Sequence, residues 1–255
     1  MTDKRILLVN DDGIDSQGLE SLHREVKNLG EIFVIAPDSE KSGISHAITV
    51  RDEICVEKFY KNGGFFGYAV RGTPADCVKL GIMEILPQKP ELVISGINHG
   101  ENTGLNTLYS GTVSAAKEAV VYGIPAIAVS MGNWKKGDFG FAAKFTRELA
   151  LKVLKFGLPE GTLLNVNVPP ILESDIRGIS ITRQGIRRFL EDFKKNREDS
   201  NKIHYKLMGK RGEPEEASDT EDSAIHRMKI SITPIHYDMT NYNMIEKLKG
   251  WDIAL

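Results

Sequence analysis

Arg5-Ile6-Leu7-Leu8-Val9-Asn10 is an almost unbroken apolar run, and it predicts a strand buried on both faces, as a central parallel strand is. Asp11-Asp12-Gly13 breaks it. Ser16 can then cap a helix reaching about Leu29, with Leu19, Leu22 and Val26 on one face and Gly30 as the stop. Ile32 to Ala36 reads as a second strand, ended by Pro37-Asp38. A strand, a helix and a strand in this order imply a right-handed crossover and a parallel sheet. Next, Ile54–Tyr60 and Phe65–Val70 flank Lys61-Asn62-Gly63-Gly64, a hairpin signal. Thr73-Pro74 opens a helix as cap and first residue. Leu92–Ser95, Ala126–Ser130 and Leu163–Val168 read as further buried strands, with helices from about Val113 to Tyr122 and from Phe139 to Phe156.

Beyond Pro169-Pro170 the pattern changes. Short β segments (Gly178–Thr182, Ile203–Met208, Met228–Pro234) alternate with charged stretches, Glu213–Asp222 reads as a polar loop, and helical spacing returns from about Asn241 to Leu248. The expected fold class is α/β: a doubly wound, mostly parallel, Rossmann-like sheet with a β-hairpin insertion and a smaller β-rich C-terminal extension. Residues 1–170 form the main domain, and 171–255 pack on it or on a second subunit.

Composition narrows the partners. A net charge of -2 provides no basic field for a nucleic-acid polymer, so a nucleotide ligand should be small. The basic stretch from Arg183 to Lys210 is broken by acids and reads as a solvated, mobile face. Cys55 and Cys77 fall in apolar surroundings and are expected as buried thiols. The first residues lack a signal-peptide pattern, and no apolar run approaches the roughly 20 residues of a membrane span, so a soluble, cytoplasmic protein is expected.

Chemistry gathers where strands end. In open α/β sheets, ligands bind beyond the carboxyl ends of the strands. Asp11 and Asp12 stand at such an end, and adjacent carboxylates resist ionising together unless a cation joins them. Oxygen ligands suit magnesium, manganese or calcium. The alternative is a plain Asp-Gly turn. Pro37–Gly43 and Ser95–Gly104 bring more oxygen-bearing side chains and glycines to the same rim. Ser110-Gly111-Thr112 opens a helix with amides, a small residue and two hydroxyls, which can cradle phosphate or simply cap. His46 is a candidate proton donor, against an ordinary structural histidine. Lys117 and Glu118 read as surface residues.

These stretches resemble the SurE (survival protein E) family of metal-dependent nucleotidases. The similarity lies in Ile6–Gly13, in Ala36-Pro37-Asp38 through Ser42-Gly43 with His46, and in Gly72–Val78, Ser95–Asn98 and Tyr109–Ala116, with Ser231–Ile235 like the family's closing strand. The resemblance implies Asp11, Asp12, Ser42 and Asn98 as ligands of one divalent ion per subunit, magnesium or manganese, with Asn98, Ser110, Gly111 and Thr112 on the phosphate side. It implies hydrolysis of nucleoside 5′-monophosphates, with 3′-monophosphates and short polyphosphate as further substrates, by a homodimer or homotetramer. The rival reading is a nucleotide- or phosphate-sensing protein without turnover, such as a phosphorelay receiver. A receiver needs an acceptor aspartate at a later strand end, whereas Asp38 follows the second strand. A haloacid-dehalogenase phosphatase needs its second aspartate two residues on, where Gly13 stands.

Overall fold

The N-terminal apolar run becomes the strand on which the sheet is built. The computed structural model describes residues 4–132, 139–187, 189–212 and 217–253. Strand β1 (Arg5–Val9) pairs in parallel with β2 (Glu31–Pro37) on one side and with β5 (Leu92–His99) on the other. Its side chains alternate between two cores. Ile6 and Leu8 pack with Leu19, Leu22 and Val26 of helix α1 (Gln17–Val26), while Leu7 and Val9 pack on the opposite face of the sheet. Neither face meets water, which is why the run has no polar alternation.

Between β2 and β5 the chain makes the expected hairpin, β3 (Cys55–Lys61) and β4 (Gly64–Arg71). Asn62 and Gly63 take φ of 52° and 81° at the turn, the mirror-image geometry that suits the twist of the strands. Helix α2 (Pro74–Leu80) starts from a capping box in which Thr73 and Asp76 each bond the other's backbone. Helix α3 (Gly111–Val121) joins it on the Leu7 face, and strand β6 (Ala126–Met131) lies beside β5. Helix α4 (Gly140–Phe156) joins α1 on the other face, and strand β7 (Thr162–Val168) follows β6 in the sheet. Burying a Leu or Ile side chain contributes about 1.5–3 kcal/mol, more than the roughly 1 kcal/mol of a cap, so the two cores rather than the caps fix where the helices lie.

After residue 170 the chain adds β8 (Ile179–Ile181), then β9 (Phe189–Asp199) and β10 (Lys202–Arg211), helix α5 (Glu221–His226), β11 (Ile230–His236) and helix α6 (Tyr242–Lys249). The nine-stranded order is β3-β4-β2-β1-β5-β6-β7-β11-β8, so β11 and β8 extend the main sheet. β11 runs antiparallel to β7, and β9 and β10 form a separate two-stranded sheet.

Several expectations need correction. The basic stretch is largely this long β9–β10 hairpin, because strand pairing satisfies its backbone and leaves the charges outside. Cys55 is exposed, since β3 lies at the edge of the sheet, and only Cys77 is buried. The region read as a polar loop contains the start of α5, where the Thr220 hydroxyl accepts the Ser223 amide. Residues 213–216 of that loop lie outside the described residues. Helix α1 stops at Val26, before the expected Leu29.

The order of strands reverses between β1 and β5. The chain runs outward from β1 through β2 and β4, then returns to β5 and continues the other way through β6 and β7. Loops leaving β1 and β5 diverge there and leave a crevice at their carboxyl ends. Helix α1 is pressed against its rim: a Cβ on Gly18 would stand 2.0 Å from the Ile97 carbonyl oxygen.

Candidate functional site

Asn10 ends β1 and ties the next turn down. Its amide group donates to the Gly13 carbonyl at 2.9 Å and to the Ser16 hydroxyl at 2.7 Å. Asp11 and Asp12 are thereby held at the mouth of the crevice. Asp11 is only 3% exposed, and its carboxylate accepts the Thr112 hydroxyl. Gly111 comes so close that a Cβ there would lie 2.7 Å from the Asp11 Cβ and 2.8 Å from its Oδ2. A residue larger than glycine at position 111 would push α3 off the carboxylate. The amino-terminal end of α3, where backbone N–H groups lack helical partners, thus faces Asp11.

Loops bring the other candidates to the same rim. The Lys41 amide donates to the Asp11 carbonyl at 2.7 Å, which places neighbouring Ser42 at the edge of the crevice. The Ser42 hydroxyl is exposed and donates to Glu40 at 2.7 Å. From β5, the His99 amide donates to Asp12 Oδ2 at 3.1 Å, and Asn98 precedes it. The Asn98 side chain donates to the Gly100 carbonyl at 2.7 Å, which fixes the nitrogen end of the amide group and leaves the oxygen end as an acceptor. A bulge between Ser95 and Asn98 bends the strand here, and Gly96, at φ 135°, packs so closely that a Cβ would stand 2.3 Å from the Val129 carbonyl oxygen.

The electrostatics are those of a charge without a counter-charge. Burial raises the Asp11 pKa, against the opposing pull of the Thr112 hydroxyl and the Gly111 and Thr112 amides. Burial and the neighbouring Asp11 push Asp12 up to about 7, with Glu40 adding to the repulsion and only the His99 amide opposing. The charges felt by Asp12 are negative, so a cation between the carboxylates would relieve both. Two carboxylates, a hydroxyl and a carboxamide form an oxygen set that fits a hard divalent ion. Among the described residues no three His, Cys, Asp or Glu side chains cluster as ligands, so the two aspartates alone would not fill an ion's shell.

Ser110 and Thr112 also have partners within the protein. The Ser110 hydroxyl accepts the Val113 amide at 3.1 Å as the helix cap, and the Thr112 hydroxyl is engaged by Asp11. His46 lies with Glu118, its ring nitrogen 2.7 Å from the carboxylate, and the Lys79 ammonium stands 2.6 Å from the other oxygen. Glu118 is 4% exposed and not the surface residue expected, and its pKa is lowered because His46 and Lys79 outweigh the cost of burial. Glu118 lies six positions beyond Thr112, about 9 Å along the helix at 1.5 Å per residue, and His46 is held there.

Sequence reasoning missed the supports. Ser45 binds the Tyr109 and Leu108 carbonyls through its amide at 2.9 Å and its hydroxyl at 2.8 Å. Asn102 is held by Asn165, Asn167 and Ser130 in a buried network. The signal for that network was present: Asn165 and Asn167 interrupt an otherwise apolar strand on one face. The amides of Lys41 and His99 had none, since a backbone donor is independent of residue type.

Comparison with known proteins follows the same outline. Residues 6–191 match the family model described as Survival protein SurE. The chain is 44% identical over 248 residues to a protein of Chlorobium phaeobacteroides named 5'-nucleotidase SurE, covering 97% of this chain and 96% of that one. A protein of the same name from Heliobacterium modesticaldum is 46% identical, with 97% and 91% covered. Among solved structures, the SurE protein of Aquifex aeolicus superimposes with a TM-score of 0.84 at 39% identity, over 96% of this chain and 98% of that one.

The raised carboxylate fixes a pH dependence for protein stripped of divalent ions. Asp12 binds its proton more tightly when folded than when unfolded, so its contribution to stability is complete below pH 4 and is lost as pH rises through about 7. Thermal unfolding of chelator-treated protein should therefore show wild type losing more stability between pH 5 and pH 8 than Asp12→Asn does. Parallel pH profiles for the two would show that Asp12 is not held in this strained state.

Proposed function

Because the chain belongs to the Survival protein SurE family, we propose that it is a phosphomonoester hydrolase that removes phosphate from nucleoside 5′-monophosphates with one divalent ion, magnesium or manganese, per subunit. The observation that carries this reading is the meeting of Asp11 and Asp12 with the β5 end and the start of α3 at the point where the strand order reverses. The relatives' shared name supplies the substrate class.

In this reading Asp11, Asp12, Ser42 and Asn98 hold the ion. When bound, it polarises the phosphoryl group and lowers the pKa of a water. The protein does the rest by position. The amino-terminal end of α3 favours negative charge in the crevice, and the Ser110 hydroxyl and the Gly111 amide border the space a phosphate would enter. Thr112 holds Asp11 by its hydroxyl and so fixes the orientation of the carboxylate toward the ion. The His99 amide does the same for Asp12. This preorganisation addresses the main obstacle in phosphoryl transfer, which is charge on the transferring group. 3′-Monophosphates and short polyphosphate present the same terminal phosphate and belong to the proposed substrate range.

A homo-oligomer is part of the proposal. Phe193 and Leu207 are cross-strand partners on the β9–β10 hairpin, Tyr205 follows on the same face, and all three are more than half exposed. A projecting apolar ribbon of this kind gains from burial against a second copy. Light scattering should give a dimeric or tetrameric multiple of 28.3 kDa, reduced by Phe193→Asp; a wild-type monomer at micromolar concentration would refute the assembly.

Turnover is tested by phosphate release from nucleoside 5′-monophosphates with added magnesium or manganese. Asp11→Asn keeps the shape and the acceptor for Thr112 but removes the charge, and should lower kcat by at least about 100-fold. Turnover of that variant near wild type would overturn the assignment.

A further inference from the structure

Glu221 is fully buried, yet it belongs to neither the aspartate pair nor its proposed ligands. Its carboxylate accepts two backbone amides from distant parts of the chain: Gly104 on one oxygen at 3.0 Å and Gly185 on the other at 2.7 Å. Three more contacts bind the same strips together. Gln184 donates its side-chain amide to the Gly104 carbonyl at 2.9 Å, the Leu105 amide donates to the Arg187 carbonyl at 2.9 Å, and a Cβ on Gly104 would stand 2.3 Å from that carbonyl oxygen. Gly104, at φ 59°, begins the 3-10 turn Gly104–Leu108, which runs on into Ser110 and the start of α3. The carbonyls of Leu108 and Tyr109 hold Ser45 on the loop that carries Ser42.

The other strip lies at the base of the hairpin. Arg187 stands just before β9 and Gly212 just after β10. The Arg187 guanidinium joins them, donating to the Gly212 carbonyl at 2.8 Å and to both oxygens of Asp222 at 2.6 and 2.5 Å. Glu221 and Asp222 are neighbours at the start of α5, so one helix end grips the hairpin base and the loop that leads to the site.

We infer that Glu221 is a positioning residue for the reaction, acting through Gly104 to set where the start of α3 stands relative to Asp11, and that it couples the base of the β9–β10 hairpin to the phosphate end of the site. The inference rests on the proposed nucleotidase reading. A carboxylate is the side chain that offers an acceptor to each of two amides at once. In Glu221→Gln one oxygen is replaced by an N–H group, which would face a backbone N–H and force either Gly104 or Gly185 away. Small displacements at a reacting centre have large kinetic effects.

The test compares wild type, Glu221→Gln and Gln184→Ala in assays with a nucleoside 5′-monophosphate, in manganese binding and in hydrogen exchange of the Gly104 and Leu105 amides. Glu221→Gln should raise KM and the inhibition constant of inorganic phosphate by about tenfold, with a smaller change in manganese affinity and faster exchange at Gly104 and Leu105. Gln184→Ala, which removes a less buried bond to the same carbonyl, should move KM and exchange in the same direction by a smaller factor, and it keeps the inference testable if Glu221→Gln does not fold. A purely structural role would lower the active fraction and leave KM alone. Unchanged KM and unchanged exchange in a folded variant would overturn the inference while leaving wild-type turnover intact. Absence of wild-type turnover would instead remove the nucleotidase reading on which it rests.

Discussion

Asp11 and Asp12 bring two like charges to the end of a strand whose Ile6–Val9 side chains are apolar on both faces, and the surrounding structure is arranged around that cost. Burial raises both pKa values, and repulsion from Asp11 helps push Asp12 up to about 7. The start of α3, the Thr112 hydroxyl and the His99 amide each return part of the cost as hydrogen bonds to the charged form. The remainder is uncompensated, and a hard cation is the group that would compensate it. The apolar cores determine where strands and helices lie; the unmet charge determines what the crevice can hold.

The fold makes this arrangement possible through strand order. β1 and β5 are neighbours whose following loops depart in opposite directions, so two loops and a helix end meet without colliding. Close approach is secured by glycines where backbone meets backbone or carboxylate. Gly111 lies against Asp11, and Gly96 lets β5 bend beside β6. The supports are polar and buried: Asn102 with Asn165 and Asn167, Glu118 with His46 and Lys79, Glu221 with Gly104 and Gly185. Buried polar groups are costly unless satisfied, and here each satisfies a backbone or side-chain partner that a loop presents.

The sheet was legible because continuous apolar runs such as Ile6–Val9 report burial on both faces directly. The hairpin was legible from Asn62-Gly63, since few residue pairs adopt its turn without strain. The Asp11-Asp12 pair stands out as adjacent acids at a strand end, although the sequence alone leaves a plain Asp-Gly turn open. What escaped was tertiary. Ile203–Met208 reads as β and lies within β10, but its partner β9 reads as a charged stretch because the pairing hides no side-chain face within one chain, and the start of α5 sits in a polar segment whose Glu221 and Asp222 carry the charge of surface residues. Their burial follows from Gly104, Gly185 and Arg187, which are distant in sequence. His46 reads as a candidate proton donor from its place in a site loop; its carboxylate partner, two turns down α3, was not legible because it lies 72 positions away in sequence.

The central claim is that side chains from β1, the loop after β2 and the end of β5 converge on a single cation. Anomalous diffraction from crystals grown with manganese measures this directly. The account predicts one peak per chain, with oxygens of Asp11, Asp12, Ser42 and Asn98 at the distances of hard-cation ligands, about 2.0–2.6 Å. A peak elsewhere, or none beside Asp11 and Asp12 at saturating manganese, would contradict it.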